Sequence, residues 1–178
     1  TFSERNSLAA RASHTRFNRV LSTPGYRFAG EQGILFAEAA YRSSGARSEW
    51  IGGLNFFGES FREEGTAARN YTQRTVGTFL QNTLSLGAKA AVETGLRADH
   101  VFDWGWAVLP RASLLLKPAP KWTSRIGGGF GYKTPTPFTE QTERLLYFST
   151  PGISPQRNTL ERSAGGSADL NYRTRVLE

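Results

Sequence analysis

Few side chains in this sequence could do bond-making chemistry. Two histidines, His14 and His100, stand in a chain of 178 residues that has neither cysteine nor methionine. Asp99, His100 and Asp103 are close enough in sequence to suggest a histidine base held by a carboxylate beside some serine. His100, however, falls at a strand end near a turn, where a histidine is ordinarily just solvated. A closed zinc site without thiolates would need carboxylates at spacings the chain does not offer. Glu59, Glu63 and Glu64 gather at a hairpin tip that could hold calcium weakly, although acidic tips are usually only hydrated. The chain therefore reads as a non-enzyme with no cofactor and no metal.

The charged residues are more informative through their spacing. Trp104, Trp106, Val108, Pro110, Ala112, Leu114 and Leu116 alternate with Gly105, Ala107, Leu109, Arg111, Ser113, Leu115 and Lys117. Trp122, Ser124, Ile126, Gly128, Phe130 and Tyr132 likewise alternate with Thr123, Arg125, Gly127, Gly129, Gly131 and Lys133. Upstream, Ala90, Val92, Thr94, Leu96 and Ala98 oppose Lys89, Ala91, Glu93, Gly95, Arg97 and Asp99. A period of two is the signature of a strand, and here it keeps the charges of three successive strands on one face. Extending the pattern predicts strands at about residues 5–21, 31–43, 46–60, 72–85, 88–101, 105–117, 121–133 and 162–174. The glycine run Gly127 to Gly129 falls inside a strand with no helix after it, so it favours close packing or a bend over phosphate binding.

Strands of this length exceed the five or six residues usual in soluble sheets and suit a tilted membrane crossing. The mean hydropathy of −0.44 does not oppose this, because half of each barrel strand faces a polar lumen. The net charge of +7, from 22 Lys and Arg against 15 Asp and Glu, raises nucleic acid as a partner. Its spread over many strands rather than one patch argues against that.

Connections are expected to alternate in length. A long loop around Pro24-Gly25, one through Glu63-Glu64-Gly65, a moderate turn at Phe102-Asp103 and a very long loop from about 134 to 161 share one rim. Tight turns at Ser43-Ser44-Gly45, Leu86-Gly87 and Pro118-Ala119-Pro120 share the other. Outer-membrane barrels show this asymmetry, with the long side extracellular. Trp50 and Trp122 then fall beside the short turns, and Trp104, Trp106 and Tyr132 beside the long loops, the two levels of an aromatic girdle. The plainer alternative is a soluble core in which the tryptophans meet.

The stretch from Thr94 to Thr136 resembles a recurrent segment of TonB-dependent outer-membrane receptors. The matching positions are Gly95, Leu96, Arg97 and Asp99 in one strand, Pro110, Arg111, Lys117 and Pro118 in the next, then Gly131, Tyr132, Lys133, Thr134 and Pro135. Leu160-Glu161-Arg162-Ser163 with Ala168 to Tyr172, and upstream Phe36-Ala37-Glu38 and Phe79-Leu80-Gln81, are similar to the family's flanking strands.

The resemblance implies an all-β fold: antiparallel up-and-down strands, about eight of them long, forming part of a transmembrane β-barrel of ~22 strands around an N-terminal plug. Residues 1–176 are then one partial barrel domain, with Leu177-Glu178 read as a cloning scar, and the absent leader and plug mark a piece of a longer receptor. It further implies the outer membrane of a Gram-negative bacterium, lipid around the barrel, and the plug and the TonB energy-coupling system as partners. The cargo would be an iron–siderophore complex, haem, cobalamin or a similar scarce chelate. Arg47, Glu49, Arg97, Asp99, Arg111 and Arg125 would face the lumen and plug, and Arg144, Tyr147 and Phe148 on the long loop would touch ligand. Two other readings stay open: a soluble antiparallel β protein binding ligands or carbohydrate, and a complete eight-stranded barrel. An isolated piece should self-associate through its open edges and apolar face.

Overall fold

The computed structural model describes residues 5–66, 68–138, 152–156 and 158–174. Among the described residues eight strands follow one another: β1 (Asn6–Thr23), β2 (Tyr26–Ser44), β3 (Ser48–Glu63), β4 (Tyr71–Ser85), β5 (Ala90–Val101), β6 (Gly105–Ala119), β7 (Trp122–Lys133) and β8 (Glu161–Tyr172). They form one antiparallel sheet in the order β1-β2-β3-β4-β5-β6-β7-β8, each strand beside its sequence neighbour. β1 and β8 therefore have one partner each, and the sheet is an open wall. This is the all-β, up-and-down partial barrel that the period-two pattern predicts. Both Leu177-Glu178 and the loop residues Arg144, Tyr147 and Phe148 lie outside the described residues.

One connection differs from expectation. Pro24-Gly25 is a two-residue turn, not a long loop: Thr23 pairs with Tyr26, and β2 starts five residues earlier than its predicted start at about residue 31. Proline presets the φ of the first turn position, and Gly25 takes φ +79° at the second, where a side chain would be strained. The long-loop rim thus carries two short turns, here and at Phe102 to Trp104. Its length is concentrated between β3 and β4 and between β7 and β8.

Register fixes the two faces. Asn55 pairs with Gly77, Gly77 with Asp99 and Asp99 with Ala107, so these four share one face. The opposite row runs Gly52 to Leu80, Leu80 to Leu96 and Leu96 to Pro110. Large apolar side chains on this second face are exposed: Leu54, Leu80, Leu96, Val108, Ile126 and Leu170. Among the described residues the wall has no second layer. Its compact apolar cluster lies on the first face near the long-loop rim, where Phe28, Phe61 and Tyr71 are buried with Leu21, Tyr26, Phe138 and Ile153 against them.

Candidate lumen wall and ligand-facing mouth

The first face is polar and cross-braced. Glu38 on β2 accepts from Arg11 on β1 at 2.8 Å, and Glu49 on β3 accepts from Arg42 Nε on β2 at 2.8 Å. Arg111 on β6 lies 3.5 Å from Glu93 on β5 and also bonds Gln81 on β4. Pairs that reach between neighbouring strands brace the wall across its ladders.

At its centre Asp99 is 1 % exposed. Its two oxygens accept from Arg97 Nε at 2.9 and 2.8 Å, and Oδ2 also accepts from the Tyr132 hydroxyl at 2.8 Å. Arg97 Nη2 continues to Asn55 Oδ1 at 3.2 Å. The Asn55 side-chain nitrogen is buried and has no hydrogen-bond partner among the described residues. Alternation sends His100 to the opposite face, against Phe102 and Trp106 with ring centroids 5.0 and 4.9 Å away. Asp99 and His100 consequently cannot form a dyad.

β7 departs from the sheet in its second half. Pairing with β6 is continuous from Leu116–Ser124 to Arg111–Gly129 and goes no further, although β7 stays paired with β8 up to Lys133. Freed from β6, the end of β7 leans over the polar face. Tyr132 reaches Asp99, and Phe130 borders the same cleft as Arg97 and Arg111. Beyond it, the Pro135 carbonyl accepts from Gln73 Nε2 at 2.7 Å, and the Phe138 ring meets Phe61 edge-on with centroids 4.4 Å apart.

These contacts close over a cavity of about 360 Å³ whose walls include Phe17, Arg19, Gln32, Glu59, Lys133 and Thr136. Arg19, Lys133 and the Glu59 carboxylate stand beside its aromatic rings, a mixed polar and apolar lining. At its rim the Glu63 carboxylate accepts from Arg69 Nε at 2.7 Å and holds that guanidinium above its ordinary pKa against the opposing effect of burial.

The residues singled out in the sequence divide as follows. Glu49, Arg97, Asp99 and Arg111 are in the braces just described. Arg125 is exposed on the same row as Arg111, opposite Asp169. Arg47 is exposed in the turn after β2, one alternation step from Glu49. Trp50, Trp106 and Trp122 are exposed on the apolar face, and Trp122 packs on Tyr172 with centroids 4.8 Å apart. Trp104 is half-buried in the turn before β6. Tyr132 is a correction: its hydroxyl is committed to Asp99 on the polar side, so it does not join the girdle residues. Phe17 and Arg19, which border the cavity, were not singled out, and Lys133 entered only as a position of the family resemblance. The available signal was aromatic residues on the charged rows near the long-loop ends of β1, β2 and β3.

Polar braces on one face, exposed apolar rows on the other and a meander of long strands define a segment of transmembrane β-barrel wall. The profile of the TonB dependent receptor-like β-barrel family matches residues 1–170, and the chain belongs to that family. Members of the family are outer-membrane transport receptors. No curated protein matches the sequence.

Among solved structures, the chain is similar to the siderophore receptor PirA from Pseudomonas aeruginosa, with TM-score 0.68 and 13 % identity over 95 % of this chain and 36 % of that one. It is also similar to a glycine-to-valine mutant of the ferric enterobactin receptor PfeA from P. aeruginosa, with TM-score 0.62 and 14 % identity over 74 % of this chain and 23 % of that one. PirA from Acinetobacter baumannii gives TM-score 0.52 and 15 % identity over 73 % and 23 %. At these identities the likeness is one of fold. The chain spans about a third or less of these receptors.

Proposed function

We propose that this chain is part of the wall of a TonB-dependent receptor in a Gram-negative outer membrane. The receptor would import a scarce nutrient as a chelate, an iron–siderophore complex foremost, with haem or cobalamin as the related cargoes. The observation that carries this reading is the segregation of the two faces.

On β6 the outward row Trp106, Val108, Pro110, Ala112, Leu114 and Leu116 is apolar throughout. The ten steps from Trp106 to Leu116, at roughly 3.3 Å each, run about 33 Å along the strand. A tilt of about 40° reduces this to about 25 Å, the height of a barrel's lipid-facing band. A water-soluble sheet would have to cover that face, because monomers rarely leave so large an apolar patch open. For this reason the soluble carbohydrate-binding reading is set aside.

The opposite face is the lumen wall. Glu49, Arg97, Asp99, Arg111 and Arg125, with Arg47 at its edge, would meet the plug. The buried Asn55 nitrogen is a donor awaiting an acceptor there, since an unmet buried donor costs about 1–3 kcal/mol. Trp50, Trp104, Trp106 and Trp122 would sit at the two membrane interfaces. Ligand would enter over the aromatic cavity and touch Phe17, Arg19 and Lys133, together with Arg144, Tyr147 and Phe148 from the long loop.

In bacteria that depend on the intact parent gene for growth on ferric enterobactin, haem or cobalamin, deleting residues 5–174 should abolish that growth, as should loss of TonB. Growth unaffected by either deletion, on every one of these sources, would refute the assignment.

A further inference from the structure

Besides Arg47, the short-turn rim carries four cations that the reading above leaves unused. Arg47, Lys89, Lys117, Lys121 and Arg173 are all exposed, and among the described residues none of their side chains has an ion pair or hydrogen bond. They lie in register. The Lys117 amide donates to the Lys89 carbonyl at 2.7 Å, one step beyond the pair Ala90–Leu116. The Arg173 amide donates to the Lys121 carbonyl at 2.8 Å, one step beyond Trp122–Tyr172. Lys89 therefore opposes Lys117, and Lys121 opposes Arg173, at the ends of four successive strands.

Like charges placed directly opposite one another on neighbouring strands are destabilising. Among the described residues at this rim, the acid Glu49 is already held by Arg42. At the other rim Arg16, Arg27 and Arg69 are paired with Glu31, Glu64 and Glu63, and Arg62 and Arg74, which have no side-chain partner among the described residues, stand opposite Glu31 and Gly58 rather than another cation. Two adjacent like-charge pairs left unneutralised at one end form an arrangement that an external anion would stabilise.

Counting by twos identifies the side. Lys89 continues the row of Glu93, Lys117 that of Arg111, Lys121 that of Arg125, Arg173 that of Asp169 and Arg47 that of Glu49. By this count all five extend the rows of the polar wall rather than those of the apolar face, with Lys117 at the register shift that follows Leu116. Four strands spaced about 4.8 Å apart set out a track of about 14 Å, the span of four or five extended residues.

We propose that this rim is a docking track for an acidic peptide segment at the short-turn mouth, on the inner side of the wall. The proposal rests on the polar face being the lumen. It favours a protein segment over anionic lipid because the bilayer would cover the opposite face.

The test uses the 178-residue chain in detergent micelles, with fluorescein-labelled hexaglutamate as probe and hexaglutamine as control, read by anisotropy. Hexaglutamate should bind and hexaglutamine should not, and raising NaCl from about 20 to about 200 mM should weaken binding about tenfold. The double variants Lys89→Gln with Lys117→Gln, and Lys121→Gln with Arg173→Gln, should each weaken it about tenfold. Arg62→Gln with Arg74→Gln, an equal change of net charge at the far rim, should alter it less than about twofold.

The rim variants should melt at the same temperature or higher, which separates lost binding from lost folding. Reversing the four rim cations to glutamate should transfer binding to hexalysine. Equal losses in the rim and control variants would overturn the proposal. So would rim-dependent binding to phosphatidylglycerol vesicles that hexaglutamate does not compete away. If peptide binding persists while the deletion leaves chelate growth intact, the receptor assignment fails and the track stands; the converse result rejects the track alone.

Discussion

Replacing Asp99 by alanine should cost about 2–4 kcal/mol of stability, and the same carboxylate should be coupled to Tyr132. The magnitude follows from its neighbours. Asp99 is buried and accepts from Arg97 and from the Tyr132 hydroxyl. Each hydrogen bond to a charged group contributes about 1.5–3 kcal/mol. The Arg97 side chain is 40 % exposed, so water recovers much of its share when the carboxylate is removed. Tyr132, half-buried, recovers less.

Tyr132→Phe alone should cost about 1.5–2 kcal/mol, and the double variant should reveal a coupling of about 1–2 kcal/mol. Gly77→Ala attacks the same site sterically. An added Cβ would stand 2.1 Å from Asp99 Oδ1 and 2.7 Å from Asn55 Oδ1, so the carboxylate must shift, at about 1–3 kcal/mol. Urea unfolding in detergent micelles, followed by tryptophan fluorescence, measures all of these. An Asp99→Ala cost below about 0.5 kcal/mol, or strictly additive costs for Asp99 and Tyr132, would refute the idea that this bond ties β7 to β5 where β6 no longer reaches.

Other expectations concern the two faces and the mouth. Leu96→Lys places a charge midway up the outward band and should reduce stability in lipid vesicles by about 2–4 kcal/mol. The same change at exposed Val20, near the long-loop rim, should cost about 0–1 kcal/mol. Phe61→Ala removes the ring shared by Phe28, Tyr71 and Phe138 and should cost about 3–5 kcal/mol. Limited proteolysis should then cut near residues 134–138 at lower enzyme concentration, and an unchanged cleavage pattern would show that the aromatic cluster does not hold this segment. Without lipid or detergent the chain should self-associate through the open edges of β1 and β8 and through its apolar rows, and light scattering should report species larger than one chain.

Much of the wall could be read directly from residue order. Alternation of side chains is a local property of an extended backbone, so the rows containing Glu49, Arg97, Asp99 and Arg111, and the opposite rows of Trp50, Leu96 and Trp106, follow from counting by twos. The same counting separates His100 from Asp99. Strand ends were legible where Gly, Pro or polar residues interrupt the period. Pro24-Gly25 was misread because a two-residue hairpin and a loop share the same turn residues; what distinguishes them is the pairing of Thr23 with Tyr26 across the turn.

Tertiary structure decided the rest. Nothing local in Gly127 to Lys133 says that β7 parts from β6 beyond Gly129, and that departure carries Tyr132 from its expected row to Asp99, 33 residues earlier. The cavity draws Phe17, Phe61 and Phe138 from widely separated segments, and the paired cations at the short-turn rim meet only through the ladders of β5 with β6 and β7 with β8. Periodicity assigns a side chain to a face, but which distant residue it meets there depends on register and on where a ladder stops.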